Sequence, residues 1–478
     1  MVVYQVYPRS FADSDGDGIG DLAGISAHLD HLQWLGVDAL WLSPINPSPM
    51  ADGGYDVADF RGVDPAFGTV DDLDRLASAA RERGIALLLD IVPCHTSIEH
   101  PWFRERPELY LWSPVDGPPN NWVAAFGGPA WSQDPHGRGW YAHSFYPEQP
   151  DLDWRKADVA HELAAVLAFW RAKGVAGFRL DALQQLLKDP QLRDDPPASA
   201  PSIMSGNAEH EALEHRYSSD QPGVGGALAL LRAGAGDDAF LVGEIGLPSD
   251  RHAPYLEHLD ASFCFELFFA RWEAAALHAG ITAGLATGKA SWVLSNHDFP
   301  RLAERIGRRN VAAAALLLLT LPGHVFLFQG DELALGNGPG RPPEAPHAPP
   351  YDRAGRDAFR HPLPWTEAEP HHGFTAGAPW LEVVSAPEGS AERQRATPGS
   401  PACRVRELIA LRRGLDGPVE ELTARDGVLS FRRGRHVVAV NTAGEERPVP
   451  IAGHVVHATA ERCDERLASG AASVTEML

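Results

Sequence analysis

Polar side chains able to do acid–base chemistry stand at the ends of four apolar segments of the chain. The segments are DIVPCHTS, GFRLDA, LVGEIG and WVLSNHD. In that order they carry Asp90 and His95, Arg179 and Asp181, Glu244, and His297 and Asp298. A single strand-end aspartate is as often a cap or a satisfied buried carboxylate as a functional group. Four such ends with carboxylates favour one shared site.

These residue types suit chemistry on a neutral, polyhydroxylated substrate, and sugars fit that description. Hydrolysis of a glycoside with retention needs one carboxylate as nucleophile and another as protonated acid, about 5–5.5 Å apart. Asp181 and Glu244 follow neighbouring predicted strands and are the candidates. Arg179, two residues before Asp181 on the same strand face, favours its ionised form. Glu244 needs a raised pKa, and Asp298 is expected to hold sugar hydroxyls and stabilise oxocarbenium-like charge.

Alternating strand and helix patterns position these residues. Segments such as VDALWLSP and IALLLDIV are typical of buried parallel strands. Between them, apolar residues recur at helical spacing, as at Ile25, Leu29, Leu32 and Leu35 before Gly36. Eight candidate strands alternating with helices predict an α/β fold, a (β/α)₈ TIM barrel, whose site lies at the carboxyl ends of the strands. No GxGxxG follows the first strand, which disfavours a dinucleotide-binding sheet.

Three segments depart from this alternation. Residues 96–155 are rich in Trp, Pro, Gly and Asn without helical periodicity, which predicts an inserted loop-rich subdomain after strand 3. Residues 336–357 are expected to form a long irregular loop after strand 8. From residue 415, short alternating runs such as VLSFRR predict a small C-terminal antiparallel β domain. We therefore expect a barrel over 1–95 and 156–414, an insertion over 96–155 and a β domain over 415–478.

Composition restricts the partners. With 64 acidic and 41 basic residues the formal charge is -23, so phosphate backbones and anionic membranes are repelled. We expect neither nucleic acid nor membrane as a partner.

The strongest apolar run, 311–328, is interrupted by Pro322 and Gly323 before it reaches the ~20 residues of a membrane span. Four cysteines without a CxxC pair indicate reduced thiols, and the opening lacks a leader pattern, so we expect a cytoplasmic protein. The sequence does not decide between monomer and homodimer.

An acidic, glycine-rich stretch near the start, FADSDGDGIGDLAG, is a candidate metal loop. It is not an EF-hand, because position 12 counted from Asp13 is Gly24 instead of a glutamate. A shorter loop can still bring five oxygen ligands to one hard cation, Ca²⁺ or Mg²⁺, in a structural role. The candidates are Asp13, Asp15, Asp17, the Ile19 carbonyl and Asp21. The alternative is a glycine-rich solvated turn. No organic cofactor is expected.

Together, the segments DIVPCH, GFRLDA, GEIG and SNHD resemble the four signature segments of the α-amylase family of glycoside hydrolases, family 13. QPDLDW at 149–154 and the opening VVYQVYPRSFADSDGDGIGDL are similar to its α-glucosidase and oligo-1,6-glucosidase branch. The resemblance implies Asp181 as nucleophile, Glu244 as general acid/base and Asp298 as transition-state stabiliser, in agreement with the roles argued above. It also implies Ca²⁺ at the acidic loop, remote from the chemistry.

The resemblance further implies a set of substrate-binding residues. Those expected to hold glucose at subsite −1 are Asp56 in GGYDVADF, His95, Arg179 and His297, with Tyr55 or Phe145 as packing surfaces. Arg360 in GRDAFRHPLPW is expected to join Asp56 in gripping O4 of the non-reducing end, which would impose exo action. A loop salt bridge is the alternative for Arg360. Cys94 stands where the family usually has Asn, and we interpret it as inert packing.

The resemblance thus implies a retaining exo-acting α-glucosidase with a covalent glucosyl-enzyme intermediate and transglycosylation as a side reaction. Ala182 resembles the small residue of α-1,4-preferring members, where 1,6-preferring ones often carry Val. An alternative is a transferase or isomerase such as sucrose isomerase, trehalose synthase or sucrose phosphorylase. A non-catalytic scaffold of the amino-acid transporter type is disfavoured, since the chain keeps its catalytic carboxylates.

Overall fold

A closed barrel of parallel strands forms the centre of the protein. The computed structural model describes residues 1–199, 207–341, 352–448, 454–460 and 466–477. The first ten strands are β1 (Val2–Val6), β2 (Ala39–Leu42), β3 (Ala86–Ile91), β4 (Trp131–Gln133), β5 (Trp140–Ala142), β6 (Gly177–Leu180), β7 (Phe240–Gly243), β8 (Ala261–Phe263), β9 (Ala290–Val293) and β10 (His324–Phe328). All except β4 and β5 pair in chain order, and β10 closes on β1. The predicted (β/α)₈ barrel is confirmed.

The two faces of each barrel strand differ, as the two-residue repeat of a strand requires. Val3, Trp41 and Leu88 belong to a core of apolar side chains that fills the barrel. The intervening residues belong to a larger core between the strands and the outer helices. Two residues beyond Val3 and Leu88 the same inward face carries Gln5 and Asp90. The barrel floor is therefore apolar, and its carboxyl-terminal rim is polar.

Helices surround the barrel. They are α1 (Leu22–Ala27), α2 (Leu29–Leu35), α3 (Val70–Glu82), α4 (Pro101–Glu105), α5 (Ala157–Ala172), α6 (Ala208–Glu211), α7 (Val224–Ala235), α8 (Ala253–Leu256), α9 (Phe265–Phe268), α10 (Ala274–Thr287), α11 (Leu302–Ile306), α12 (Val311–Thr320), α13 (Ala391–Ala396) and α14 (Pro401–Arg412). A capping box of Thr69 and Asp72 begins α3. The single helix expected around residues 25–35 is divided at His28, whose Nδ1 lies 2.9 Å from the Gly24 carbonyl oxygen.

The segment inserted after β3 has a small core of its own. Antiparallel strands β4 and β5 pack with Trp122 and Ala130, so the segment is more ordered than a loop-rich sequence suggests. It is attached to the site through a bridge between His95 and Asp151, and the Leu152 N–H donates to the Cys94 carbonyl oxygen at 2.9 Å. These contacts fix its position over the end of β3.

A C-terminal antiparallel sheet packs beside the barrel, as predicted. Its strands are β11 (Glu420–Arg425), β12 (Val428–Arg433), β13 (His436–Asn441), β15 (His454–Ala458) and β17 (Ala472–Glu476), with β14 (Arg447–Pro448) and β16 (Arg466–Leu467) as a separate pair. Arg433 joins it to the barrel by donating to the Thr320 carbonyl oxygen at 2.9 Å. Parts of two predicted segments, 342–351 of the loop after strand 8 and 449–453, 461–465 and 478 of the β domain, lie outside the described residues. Within the described ranges, no helix has the length and apolarity needed to cross a membrane.

Candidate active site

One buried arginine at the end of β6 binds three carboxylates. Arg179 Nη1 donates to Asp181 Oδ1 at 2.6 Å and to Asp90 Oδ1 at 2.8 Å, while Nη2 donates to Glu244 Oε2. Adjacent strands β3, β6 and β7 supply these residues, and Asp90 is the cross-strand partner of Arg179. Asp181 shares the strand face of Arg179. The barrel therefore places the two predicted catalytic acids, Asp181 and Glu244, on different arms of one guanidinium.

Aromatic rings enclose this guanidinium. The Arg179 guanidinium carbon lies 5.4 Å from the centroid of the Trp41 ring and 5.5 Å from that of Tyr55. Trp41 in turn packs against Phe263 and Phe326 within the barrel, with ring centroids 5.9 and 6.0 Å apart. A cation over aromatic faces is stabilised electrostatically without water. The charge cluster thus rests on the apolar barrel core.

Two further arginines hold Asp298, which follows β9. Arg356 Nη1 and Arg360 Nη2 each donate to Asp298 Oδ1 at 3.1 Å. His297 Nε2 lies 3.3 Å from Asp298 Oδ2. The Asp298 side chain is 25% exposed, whereas Arg356 and Arg360 are buried. Asp298 therefore presents an ionised carboxylate at the open side of the site.

Tyr55 and His297 stack at the centre of the site. Their ring centroids are 5.3 Å apart at 9°. The Tyr55 hydroxyl donates to Asp90 Oδ2 at 2.9 Å and lies 2.6 Å from His297 Nε2. His297 Nδ1 lies 2.7 Å from Gln5 Nε2. Gln5 is a polar contact that the sequence analysis did not single out, although its inward position two residues after Val3 was a usable signal.

The insertion provides one wall of the site. His95 Nε2 lies 3.0 Å from the Tyr55 carbonyl oxygen, and the Phe145 ring packs on His95 with centroids 5.2 Å apart. Gln149 Nε2 lies 2.9 Å from His95 Nε2 and donates to Asp52 Oδ2 at 3.0 Å. The structure thus brings the predicted residues His95, Phe145 and Tyr55 together.

Burial sets the protonation of the cluster. Burial raises the pKa of Glu244, and Arg179 only partly opposes this rise. It likewise raises the pKa of Asp181 against the opposing Arg179 charge, and raises that of Asp90 to about 6. Three carboxylates around one cation carry excess negative charge in a low-dielectric site, so retaining a proton near neutral pH is favoured. Burial also acts on Asp298, but His297, Arg356 and Arg360 hold its pKa below the ordinary value.

The chain is similar to known proteins over most of its length. The family model for the α-amylase catalytic domain matches residues 5–416. The chain belongs to the α-amylase family. A probable α-glucosidase of Rhizobium meliloti (strain 1021) is 35% identical over 480 residues, covering 90% of this chain and 86% of that protein.

The fold of this chain is similar to solved structures over almost its whole length. That of XgtA, an α-glucosyl transfer enzyme, is 34% identical with a TM-score of 0.88 and covers 99% of this chain and 98% of its own. A mutant of the trehalulose synthase MutB is 29% identical with a TM-score of 0.89, covering 100% and 99%. This α-amylase family member is accordingly an enzyme of the α-glucosidase branch.

Asp56, which the family resemblance assigned to the sugar, is used within its own turn. Its carboxylate accepts hydrogen bonds from Ser48 Oγ at 2.8 Å, the Ala51 N–H at 2.9 Å and the Asp52 N–H at 3.0 Å. The side chain is fully buried. In the described part of the chain it makes no ion pair with Arg360, and the expected contact of both residues with the sugar remains a prediction.

Asp52 and Arg356 form a buried ion pair at the same end of the site. Arg356 Nη2 donates to Asp52 Oδ1, and the same guanidinium reaches Asp298. Arg360 contacts Asp298 and donates through Nε to the His297 carbonyl oxygen at 2.7 Å. Both aspartates and both arginines are visible in the sequence. The backbone angles of the turn decide that Asp52 faces Gln149 and Arg356 and that Asp56 bonds within the turn, and residue types do not determine those angles.

Cys94 has no exposed surface, and its Sγ lies 3.2 Å from His95 Nδ1. Burial raises the pKa of the Cys94 thiol well above its ordinary value. A neutral thiol is a poor nucleophile. The structure therefore agrees with inert packing beside His95.

The acidic loop can accommodate a cation. Carboxylate oxygens of Asp13, Asp15 and Asp21 lie within 4.8 Å of one another, as oxygen ligands of one hard cation require. Asp17 accepts from the Ile19 N–H at 2.7 Å and is not part of this three-carboxylate cluster. Those three aspartates would hold Ca²⁺, which would offset their mutual repulsion and tie the loop to the start of α1. The ion remains a prediction.

Proposed function

We propose that the enzyme is a retaining, exo-acting α-glucosidase that releases glucose from the non-reducing end of short α-glucosides. Asp181 attacks the anomeric carbon while Glu244 protonates the departing oxygen, which leaves a glucosyl ester on Asp181. Glu244 then removes a proton from water as the water attacks that ester. The observation that carries the proposal is the binding of Asp181 and Glu244 to the two arms of Arg179. This arrangement suits the short carboxylate spacing of retaining enzymes.

Charge within the cluster supports these roles. Arg179 Nη1 donates to Asp181 at 2.6 Å, and its positive charge stabilises the anion needed for attack by opposing the burial that raises the pKa of Asp181. Burial favours the protonated form of Glu244. Two arginines keep Asp298 ionised. Its carboxylate would accept hydrogen bonds from sugar hydroxyls and stabilise positive charge at the anomeric carbon.

The far end of the site supports exo action. Asp52, Arg356 and Gln149 are linked by hydrogen bonds between the loop after β2, the segment after β10 and the insertion. Under the proposal this network closes the site behind the terminal sugar and excludes a continuing chain. The charged groups of Asp52 and Arg356 would bind O4 there, which is the role expected earlier of Asp56 and Arg360.

The α-1,4 preference rests on Ala182. It follows the nucleophile with φ 44° and ψ 46°, in the left-handed region. A β-branched residue such as Val is strained there, so the small residue suits this backbone. Under the proposal the residue directly beside the nucleophile shapes the space next to the cleaved bond, and a methyl group occupies less of that space than the side chain of Val.

Glucosyl transfer is the second candidate, because two solved neighbours are a transfer enzyme and a trehalulose synthase. Both fates share the glucosyl ester. The outcome depends on whether water or an acceptor hydroxyl reaches Asp181. Transfer therefore accompanies hydrolysis at high sugar concentration under the proposal.

Product analysis tests the assignment. The enzyme is incubated with maltose, isomaltose, sucrose and trehalose, and products are followed by proton NMR. We expect α-glucose as the first product, with maltose as the preferred substrate. β-Glucose appearing first would refute retention, and conversion of sucrose into an isomer without free glucose would establish the isomerase alternative.

Two variants test the roles. Asp181→Asn should lose activity on all substrates, whereas Glu244→Gln should keep partial activity on α-glucosyl fluoride, whose leaving group needs no proton. Asp250→Asn, at an exposed carboxylate after β7, is the matched control and should remain within twofold of wild type. Equal retention of maltose hydrolysis by both site variants would overturn the roles.

A further inference from the structure

Gln5 in β1 connects the barrel wall to the histidine of the site. It is buried, as are His297 and Ser43. Its amide nitrogen lies 2.7 Å from His297 Nδ1 and donates to Ser43 Oγ at 3.1 Å. A primary amide has two N–H groups, and this geometry uses one for each neighbour.

The protons on the other side of His297 follow from Asp90. Above pH about 6 Asp90 is a carboxylate, which can only accept hydrogen bonds. The Tyr55 hydroxyl has one proton and donates it to Asp90 Oδ2 at 2.9 Å. Its oxygen, 2.6 Å from His297 Nε2, must then accept, so Nε2 carries a proton.

The ring has no second proton to offer. Burial lowers the pKa of His297 to about 3, so the imidazole is neutral. With its proton on Nε2, Nδ1 is a bare acceptor that needs a donor, and the Gln5 amide is that donor. The opposite tautomer would force Tyr55 to donate to Nε2 and would leave Asp90 Oδ2 without the Tyr55 proton.

We propose that Gln5 is a positioning residue that fixes the proton of His297 on Nε2, so that the histidine presents a donor beside Asp298. Nε2 lies 3.3 Å from Asp298 Oδ2. A sugar hydroxyl bound there shares this single proton with the Tyr55 oxygen in a bifurcated hydrogen bond and donates its own proton to Asp298. This use of the donor rests on the proposed function. The position of the proton does not.

Neutron diffraction of the wild-type protein at neutral pH reads the proton directly. The expected result is a deuteron on His297 Nε2, none on Nδ1, and one Gln5 deuteron directed at Nδ1. A deuteron on Nδ1 would refute the inference even if the protein were a proven glucosidase. The expected pattern in a protein without glucosidase activity would leave the inference standing and refute the function instead.

Two substitutions provide a kinetic test. Gln5→Met removes the donor and adds no charge, so kcat/KM for p-nitrophenyl α-glucoside should fall roughly tenfold at every pH. The activity of Gln5→Glu should depend on pH. At acid pH a proton shared between the introduced carboxyl group and Nδ1 keeps Nε2 protonated, and activity stays near wild type. At alkaline pH that proton is lost, the remaining ring proton moves to Nδ1 facing the new carboxylate, and kcat should fall below that of Gln5→Met with little change in KM.

The charged groups around His297 affect its protonation and therefore this expected pH profile. Asp298 and the new carboxylate favour a protonated His297, whereas Arg179, Arg356 and Arg360 disfavour it. The Tyr55 phenol, whose pKa is raised well above its ordinary value by burial, does not ionise in the range tested. The additional loss of kcat at alkaline pH in Gln5→Glu is thus assigned to the pair formed by the introduced carboxylate and His297.

Ser43→Ala is the matched control, because it removes the other acceptor of Gln5 and leaves the contact with His297. It should remain within about threefold of wild type with an unchanged pH profile. A purely structural role for Gln5 would lower the activity of both Gln5 variants in parallel with their melting temperatures and without an alkaline limb. That result would overturn the proposal.

Discussion

Replacement of Arg356 by Gln is the sharpest test of the far end of the site. Arg356 donates to Asp52, to Asp298 at 3.1 Å and to Asp352 at 2.8 Å, and it is 7% exposed. Its loss leaves Arg360 to donate a hydrogen bond to Asp298, with Arg179 acting on Asp298 only at longer range. We therefore expect weaker binding of the terminal sugar and a raised pKa of Asp298.

The magnitude follows from the contacts. A hydrogen bond to a charged group contributes about 1.5–3 kcal/mol, and each ~1.4 kcal/mol is a factor of ten. The loss of the sugar contact should lower kcat/KM by roughly 10- to 150-fold. Breaking a buried ion pair costs about 3–5 kcal/mol of folding free energy, so the melting temperature should also fall.

The assay is kcat/KM for maltose across pH, together with thermal unfolding. The pKa of Asp298 lies below its ordinary value, so wild-type Asp298 stays ionised at low pH. In Arg356→Gln the acid limb should move to higher pH. Arg356→Lys keeps the charge without the planar fork and should be intermediate, which preserves the test if Arg356→Gln unfolds.

Arg353→Gln is the control, because Arg353 pairs with Glu148 at 2.9 Å while 39% exposed. Such a surface pair contributes about 0–1 kcal/mol, and the variant should behave like wild type. Activity of Arg356→Gln within threefold of wild type, with an unmoved acid limb, would refute the assignment of Arg356 and Asp52 to the sugar.

Three further outcomes are expected. Removal of the predicted Ca²⁺ by EDTA should lower the melting temperature measured by calorimetry without changing kcat/KM at 25 °C, and Asp15→Asn should reproduce this shift. An unchanged melting temperature would argue for a solvated turn. Thr69→Ala should cost about 1 kcal/mol in urea unfolding, because it removes the N-cap of α3. Iodoacetamide at pH 8 should leave activity intact and Cys94 unmodified by mass spectrometry, since the thiol is buried and its pKa is raised.

Much of the fold was predictable because the sequence patterns are strong where burial is strong. Eight apolar segments predicted the barrel, and Asp181 and Glu244 were identified because they follow strands. The two-residue alternation that orients Arg179 also orients Asp90. At strand ends, sequence position nearly determines the direction of a side chain, so the charge cluster followed from pattern and resemblance together.

In loops, sequence position does not determine the direction of a side chain. Asp52 and Asp56 differ in direction because of turn dihedral angles that the residue types do not determine, and the same holds for Arg356 and Arg360. The break at His28 depends on a side chain that contacts the Gly24 carbonyl within an otherwise helical pattern. Gln5 was overlooked because an amide in a strand has no recognisable pattern until its partner, almost three hundred residues away, is brought beside it.

A single guanidinium that serves Asp90, Asp181 and Glu244 makes the three acids interdependent. Neutralising or moving one of them alters the electrostatic balance of the other two. Substitution of one acid is therefore expected to disturb all three, whereas substitutions at the surrounding rim leave this balance intact. Under the proposed function, acceptor or linkage preference can change at the rim while the three carboxylates that form and break the glucosyl ester stay unaltered.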